Sequence, residues 1–313
     1  TLDQKDLKTI TTVTASTAFK SKGDRLWLNG VEEDVASNRR LVVVFREMRR
    51  LARESSDAIK EKALVKNADE VSFWVKSRNT FPTAAGLASS ASGYACLTFA
   101  LSRLFGLETT PEVTAVARQG SGSACRSLFG GFVRWSMGEL EDGTDSVASQ
   151  VAPAEHWPEI EALIMVASKA KKHMSSTSGM MTSVETSSLL AHRAATVVPE
   201  RMKQMENAYM SKNFEKFGEL TMRDSNQFHA TCLDTYPPIF YMNDVSRQVA
   251  NAVHTINAAY GRIVAAYTYD AGPNAVIYVL KEDVLNVLAL LLLAFPAGDN
   301  QGDGVVGGSG GSG

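Results

Sequence analysis

Three stretches of the sequence hold residues suited by type and spacing to oxyanion chemistry. The first, Phe81-Pro82-Thr83-Ala84-Ala85-Gly86-Leu87-Ala88-Ser89-Ser90-Ala91-Ser92-Gly93, carries small residues from a loop into a helical pattern. Small side chains let backbone N–H groups approach an oxyanion, and the positive end of a helix favours phosphate there. Ser89 and Ser90 add hydroxyls able to donate to phosphate oxygens, or in the case of Ser90 to complete a magnesium shell. The same residues fit a tightly packed helix start with N-capping serines, so glycine and serine alone leave both readings open. The second stretch is Gly120-Ser121-Gly122-Ser123 followed by Arg126. Its hydroxyls and amides suit a diphosphate, and a planar guanidinium holds a carboxylate by two parallel bonds. Taken alone, Arg126 fits a surface or interdomain salt bridge better. The third is Asp270, at the end of an apolar run and before Ala271-Gly272-Pro273-Asn274. A carboxylate at a strand end beside a bend can accept or orient a hydroxyl proton, and it can equally be an Asx-turn acceptor with no chemical role.

Other reactive residues carry less. His156, His173, His192, His229 and His254 show no paired spacing of the kind zinc sites use. His229 is expected to pack or hydrogen-bond within its helix. Lys169, Lys171 and Lys172, ahead of Ser175-Ser176-Thr177-Ser178, fit an anionic-ligand rim or a solvated turn. Cys125, next to Arg126, fits a thiol of lowered pKa, although a buried small side chain is the commoner fate.

The elements that must position these residues are legible from periodicity. Leu7 to Ser16 is β-branched, and Arg25 to Glu32 surrounds an Asn29-Gly30 turn, which predicts a hairpin. Leu41, Val44, Phe45, Met48 and Leu51 recur at three and four and predict a helix over 38–54 with a solvated arginine face. Val71, Phe73 and Val75 alternate as a strand does. Helices are expected from Leu87 to Phe105 and from Pro111 to Gly120, and a strand over 130–135. Gly138 to Ser146 reads as a surface turn region. The prolines near 152–158 mark a domain boundary. Beyond them we expect a strand over 162–168, long helices over 184–213 and 214–228, a helix over 244–260, and two strands flanking Asp270 to Asn274. Val284 to Phe295 is too short to span a bilayer and reads as a buried helix. The fold class is therefore α+β.

The composition excludes other classes of function. A chain of 313 residues suits two domains, here 1–155 and 156–297, with 298–313 a flexible Gly/Ser tail. With 44% hydrophobic and 21% charged residues and a net charge of -2, neither a nucleic-acid surface nor a membrane partner is indicated. Three scattered cysteines and the lack of a secretory pattern fit a reducing, cytoplasmic setting. Thr1 stands where an initiator methionine would be expected.

The order Pro82…Gly86-Leu87-Ala88-Ser89-Ser90 resembles the phosphate loop of the GHMP kinases, and no P-loop pattern competes with it. Asn79 before that loop, Arg118-Gln119-Gly120-Ser121-Gly122-Ser123-Ala124-Cys125-Arg126-Ser127, Asp224-Ser225-Asn226-Gln227-Phe228-His229-Ala230-Thr231-Cys232-Leu233-Asp234 and Tyr269-Asp270-Ala271-Gly272-Pro273-Asn274-Ala275 are similar to the mevalonate diphosphate decarboxylases in particular. The similarity runs from about Thr1 to about Pro296.

The resemblance implies a two-lobed fold, with an N-lobe like the second domain of ribosomal protein S5 and a ferredoxin-like C-lobe. It implies ATP-dependent decarboxylation of (R)-5-diphosphomevalonate to isopentenyl diphosphate, with ATP and Mg2+ as cofactors and a homodimer as the assembly. By the same resemblance Asp270 and Arg126 are catalytic. Ser121, Gly122, Ser123, Arg126 and Ser176 hold the substrate, and Asn79, Gly86, Leu87, Ala88, Ser89 and Ser90 hold the nucleotide, with Ser90 at the metal. Family members also carry a lysine-bearing first strand and a last strand that this sequence lacks, and Thr80 and Ser92 replace a usual asparagine and alanine. Two alternatives remain: a GHMP-type kinase that stops at phosphorylation, and an inactive fragment that only binds nucleotide.

Overall fold

A computed structural model describes residues 8–81, 88–168 and 174–296. Two compact units change over between Ala154 and Glu155.

In the first unit, β1 (Thr9–Ser16), β2 (Arg25–Leu28), β3 (Val31–Glu33) and β4 (Ser72–Asn79) form a sheet in the order β1-β4-β2-β3. Asn29 and Gly30, at φ 51° and 86°, make the tight turn between β2 and β3 that the Asn-Gly pair predicts. The threonine-rich β1 runs antiparallel to β4 from Thr9 opposite Asn79 to Ser16 opposite Ser72. Against this sheet lie α1 (Arg39–Glu54), α3 (Ser89–Leu104) and α4 (Pro111–Gly120), with the short α2 (Asp57–Lys62) between α1 and β4. The three-and-four spacing of α1 buries Leu41, Val44, Phe45 and Met48 against Phe73, Val75, Leu101 and Val116. Each such side chain withdrawn from water contributes about 1.5–3 kcal/mol.

Most of the arginine face of α1 is solvated as expected, and Arg49 departs from that reading. Arg49 sends two nitrogens to the Asp24 carboxylate at 2.8 and 2.9 Å and its Nε to the Ala68 carbonyl. Arg50 bridges Glu47 and Glu54. Arg49 ties the helix to the residue before β2 and to the segment entering β4, contacts that a helical period does not encode, whereas the Arg50 pairs stay within the helix. After α4 a 3-10 turn, Gly122–Leu128, leads into β5 (Phe132–Trp135), which pairs antiparallel with β6 (Ala148–Ala152).

The second unit has β7 (Ile160–Met165), then α5 (Ser176–Thr186), α6 (Ser188–His192), α7 (Val198–Met210), α8 (Phe214–Asp234) and α9 (Asp244–Tyr260). The strands β8 (Ala265–Tyr269) and β9 (Ala275–Leu280) and the helix α10 (Val284–Ala294) follow. The sheet is antiparallel in the order β7-β9-β8 and packs Ala266, Ile277 and Val279 with Val253 of α9 and Val287 and Leu291 of α10. Helix α8 runs past Phe228 to Asp234, and the expected long helix over 184–213 is broken at Ser187, whose side chain caps α6.

The expectation of a buried helix at 284–295 is corrected. Val287 and Leu291 are fully buried, but Leu285 and Leu293 are each 79% exposed. A helix lying on a three-stranded sheet buries one stripe, and among the described residues nothing covers the opposite one. No helix among the described residues is long and apolar enough to cross a membrane.

Candidate active site

Small residues bring the first two oxyanion segments together. Ala95 of α3, Ala117 of α4 and Ala124 of the 3-10 turn are buried in one cluster, so three backbones approach closely. A Cβ at Gly120 would lie 2.3 Å from Cδ1 of Tyr94, so only glycine fits there. As a result the hydroxyls of Ser90 and Ser121 meet at 3.3 Å. Ala88 precedes α3 in the left-handed conformation, φ 52° and ψ 36°, and is its N-cap. Alanine has no group to cap with, and Ser90 is exposed, so its hydroxyl is not used as a helix cap. The N-terminal N–H groups of a 16-residue helix and that hydroxyl are the donor set a polyanion requires. Gly86 and Leu87, with the rest of 82–87, lie outside the described residues.

Asn79 ends β4 and is fixed by neighbours. Its N–H donates to Asn29 Oδ1 at 2.9 Å, and its Oδ1 accepts from Thr9 Oγ1 at 2.7 Å. Thr9 Oγ1 is also 2.6 Å from Ser92 Oγ, so the serine that replaces a usual alanine links α3 to β1. Beside α3, a cavity of about 550 Å³ is lined by Asp34, Asn38, Arg39, Arg40 and Tyr94 among others.

In the 3-10 turn, the Arg126 guanidinium lies 5.4 Å from the centre of the Trp135 ring, and among the described residues it enters no ion pair. A cation over an aromatic face is attracted by the ring while its N–H groups stay available. Trp135 is itself held by an Nε1–H bond to Ser146 Oγ at 3.0 Å, and a Cβ at Gly122 would come within 3.2 Å of the indole. Ser121 and Ser123 are half-buried on the same turn. Cys125 takes the buried alternative. It is fully buried, its thiol donates to the Gly122 carbonyl, and burial pushes its pKa up against the opposing pull of Arg126.

In the second unit Asp270 follows β8 and is exposed. The bond closing its turn runs from the Gly272 N–H to the Asp270 carbonyl at 2.7 Å, so the main chain and not the carboxylate makes the turn. The flanks are tied as well. Tyr269 N–H donates to Ser225 Oγ, Ser246 Oγ donates to the Pro273 carbonyl, and the Asn274 amide bonds both main-chain groups of Ser168. A carboxylate on a backbone held this way can meet a reacting hydroxyl without reorganising.

Ser176 opens α5 behind the capping Ser175. Lys169, Lys171 and Lys172 lie outside the described residues. His229 packs on Phe228 of its own helix, as expected, and its ring also meets the Tyr269 ring of β8 edge-on. Sequence reasoning missed Trp135, Ser225 and Ser246 as supports of the site, because neither periodicity nor a motif marks which distant backbone a side chain will meet. Among the described residues no three His, Cys, Asp or Glu side chains group as metal donors.

The chain is similar to known proteins in sequence and fold. Residues 1–148 match the diphosphomevalonate decarboxylase-like N-terminal domain, and residues 162–309 match the mevalonate 5-diphosphate decarboxylase C-terminal domain. A diphosphomevalonate decarboxylase of Bos taurus is 53% identical over 301 residues, which cover 96% of this chain and 74% of that protein. A crystal structure of a mevalonate 5-diphosphate decarboxylase superposes with a TM-score of 0.85 at 44% identity, covering 96% of this chain and 76% of the other. A further solved chain, described as MDDEF in complex with MVAPP, AMPPCP and magnesium, gives 0.76 at 31% identity, covering 93% and 83%.

Proposed function

The chain belongs to the mevalonate 5-diphosphate decarboxylase family, and on that premise we propose how its own residues carry the reaction. The activity is ATP-dependent decarboxylation of (R)-5-diphosphomevalonate to isopentenyl diphosphate, with release of ADP, phosphate and CO2, in isoprenoid biosynthesis.

The small-residue and serine segments bind anions. Asn79, the loop through Gly86 and Leu87, Ala88 and the serines Ser89 and Ser90 receive the nucleotide phosphates, and Ser121, Gly122, Ser123 and Ser176 receive the substrate diphosphate. Magnesium, when bound, supplies charge neutralisation of the nucleotide oxygens, with the exposed Ser90 hydroxyl the protein oxygen suited to its shell. Arg126, held over the Trp135 ring, takes the substrate carboxylate by two parallel bonds.

Asp270 acts at the tertiary hydroxyl. Its carboxylate orients the 3-hydroxyl towards the γ-phosphate and accepts its proton. Phosphorylation converts a poor leaving group into a good one. The exposed Asp270 passes that proton on to solvent, and as the C–O bond of the phosphate ester breaks, its restored anion stabilises positive charge at the tertiary carbon while the electrons of the carboxylate-bearing C–C bond form the alkene as CO2 leaves.

The observation that most supports this assignment is the meeting of Ser90 and Ser121, which joins the helix start suited to phosphate to the turn that carries Arg126. Three free cysteines fit the proposed cytoplasmic setting, and a homodimer is part of the reading. The test measures ADP, phosphate and CO2 together on one sample. Equal release of all three, dependent on diphosphomevalonate, is expected. ADP release without CO2 would leave a kinase that stops at phosphorylation, and nucleotide binding without turnover would leave an inactive fragment.

A further inference from the structure

β8 is an edge strand, and its outer side is closed by helix side chains in place of another strand. At one end Asn257 of α9 copies a strand partner, accepting from the Ala265 N–H at 3.1 Å and donating to the Ala265 carbonyl at 2.9 Å. At the other end the same two groups of Tyr269 face α8. Its N–H donates to Ser225 Oγ at 3.0 Å, and its main-chain carbonyl is the acceptor available to the His229 ring N–H. Ser225 and His229 stand four residues apart, hence on one face of α8, and are only 4% and 8% exposed. The imidazole meets the Tyr269 ring edge-on at 6.1 Å. Its Nε2 is buried without a partner, and Nδ1 is the ring nitrogen that can serve as the donor.

An isolated buried nitrogen is costly, and a leucine or phenylalanine at 229 would avoid that cost. Its retention needs a return, and the strand end next to it offers one: Tyr269 immediately precedes Asp270, whose charge acts on the His229 ring. We propose that His229, with Ser225, is a positioning residue for the reaction, clamping the Tyr269 peptide from α8 so that the next residue presents its carboxylate in a fixed place. The inference rests on the reading of Asp270 as the catalytic acid group. His229 touches neither substrate nor nucleotide in this role, and it transfers no proton. Asparagine retains the required function, because its side-chain N–H lies close to where Nδ1–H lies. Phenylalanine retains only the packing.

Steady-state kinetics on the intact protein, with folding checked by thermal melting, compare His229→Phe, His229→Asn, Ser225→Ala and Asp270→Asn. His229→Phe is expected to lower kcat about ten- to a hundredfold, the cost of misplacing a reacting group by a fraction of an ångström to an ångström, with both KM values little changed. His229→Asn is expected to recover most of that loss, and Ser225→Ala to lower kcat in the same direction. A folded His229→Phe enzyme with unaltered kcat overturns the proposal, as does His229→Asn falling as low as His229→Phe. Should His229→Phe not fold, Ser225→Ala decides: a kcat equal to that of the parent overturns the clamp. Full activity in Asp270→Asn overturns the catalytic reading of Asp270 itself, whereas an inactive Asp270→Asn beside an active His229→Phe sinks only the clamp.

Discussion

Ser90 and Ser121 stand 31 residues apart in sequence, and their hydroxyl oxygens are 3.3 Å apart in the fold. One opens a helix and the other ends the next, so the contact joins the position proposed for the nucleotide to one proposed for the substrate. Ser90→Ala is expected to lower kcat/KM for ATP, and Ser121→Ala that for diphosphomevalonate, each by about ten- to a hundredfold, as for lost hydrogen bonds to charged oxygens. Because the two touch, the double variant should lose less than the product of the single losses. Strictly multiplicative losses in a double-mutant cycle would show that the contact carries no coupling.

Arg126 is held over the Trp135 ring and by no carboxylate among the described residues. Trp135→Leu should therefore raise KM for diphosphomevalonate by about two- to fivefold, the scale of one cation–π contact, and leave KM for ATP alone. Arg126→Lys keeps the charge but loses the fork, and is expected to cost more than Trp135→Leu. The reverse ranking would contradict the assigned order of contacts.

Gly120 permits the approach of α3 and α4, since an added Cβ would sit 2.3 Å from Tyr94. Gly120→Ala should destabilise the first unit by about 1–3 kcal/mol through overpacking. Thermal melting would read this as a lowered midpoint. The companion Gly120→Ala, Tyr94→Ala variant should be relieved of the clash, so an equal deficit in both would argue against it.

Asp224 accepts from Arg193 and Arg201, each at 2.8 Å. Burial pushes its carboxyl up, but the hydrogen bonds from the two arginines outweigh burial and hold it below the usual range. A carboxyl whose pKa is lowered by folding stabilises the protein fully above its unfolded value, about 3.9, and loses that contribution as the pH falls through the lower folded value. Urea unfolding should therefore find Asp224→Asn less stable at neutral pH by about 1–2 kcal/mol, a figure reduced for a side chain 42% exposed, and less steeply destabilised by acid below about pH 4. Identical acid limbs in the two proteins would remove Asp224 from the pH response.

The sequence by itself determined the local elements and the family. The Asn29-Gly30 turn, the spacing that buries Leu41 to Met48, and the helix that begins at Ser89 are written in neighbouring residues, so propensity and periodicity reach them. Local pattern also marked Arg126 and Asp270 as candidates, while the choice between chemistry and a bland role came from the order of motifs along the chain. Two expectations failed where a partner surface was needed. Arg49 of α1, expected in solvent, found Asp24, and the apolar run at 284–295 buried only one stripe. Only the tertiary structure decided that Trp135 lies beneath Arg126, that Ser90 meets Ser121, and that Ser225, 44 residues upstream, holds the strand end before Asp270. Such pairs depend on how whole helices and strands pack, and packing is set by buried volume summed over many residues, which no short window of sequence contains.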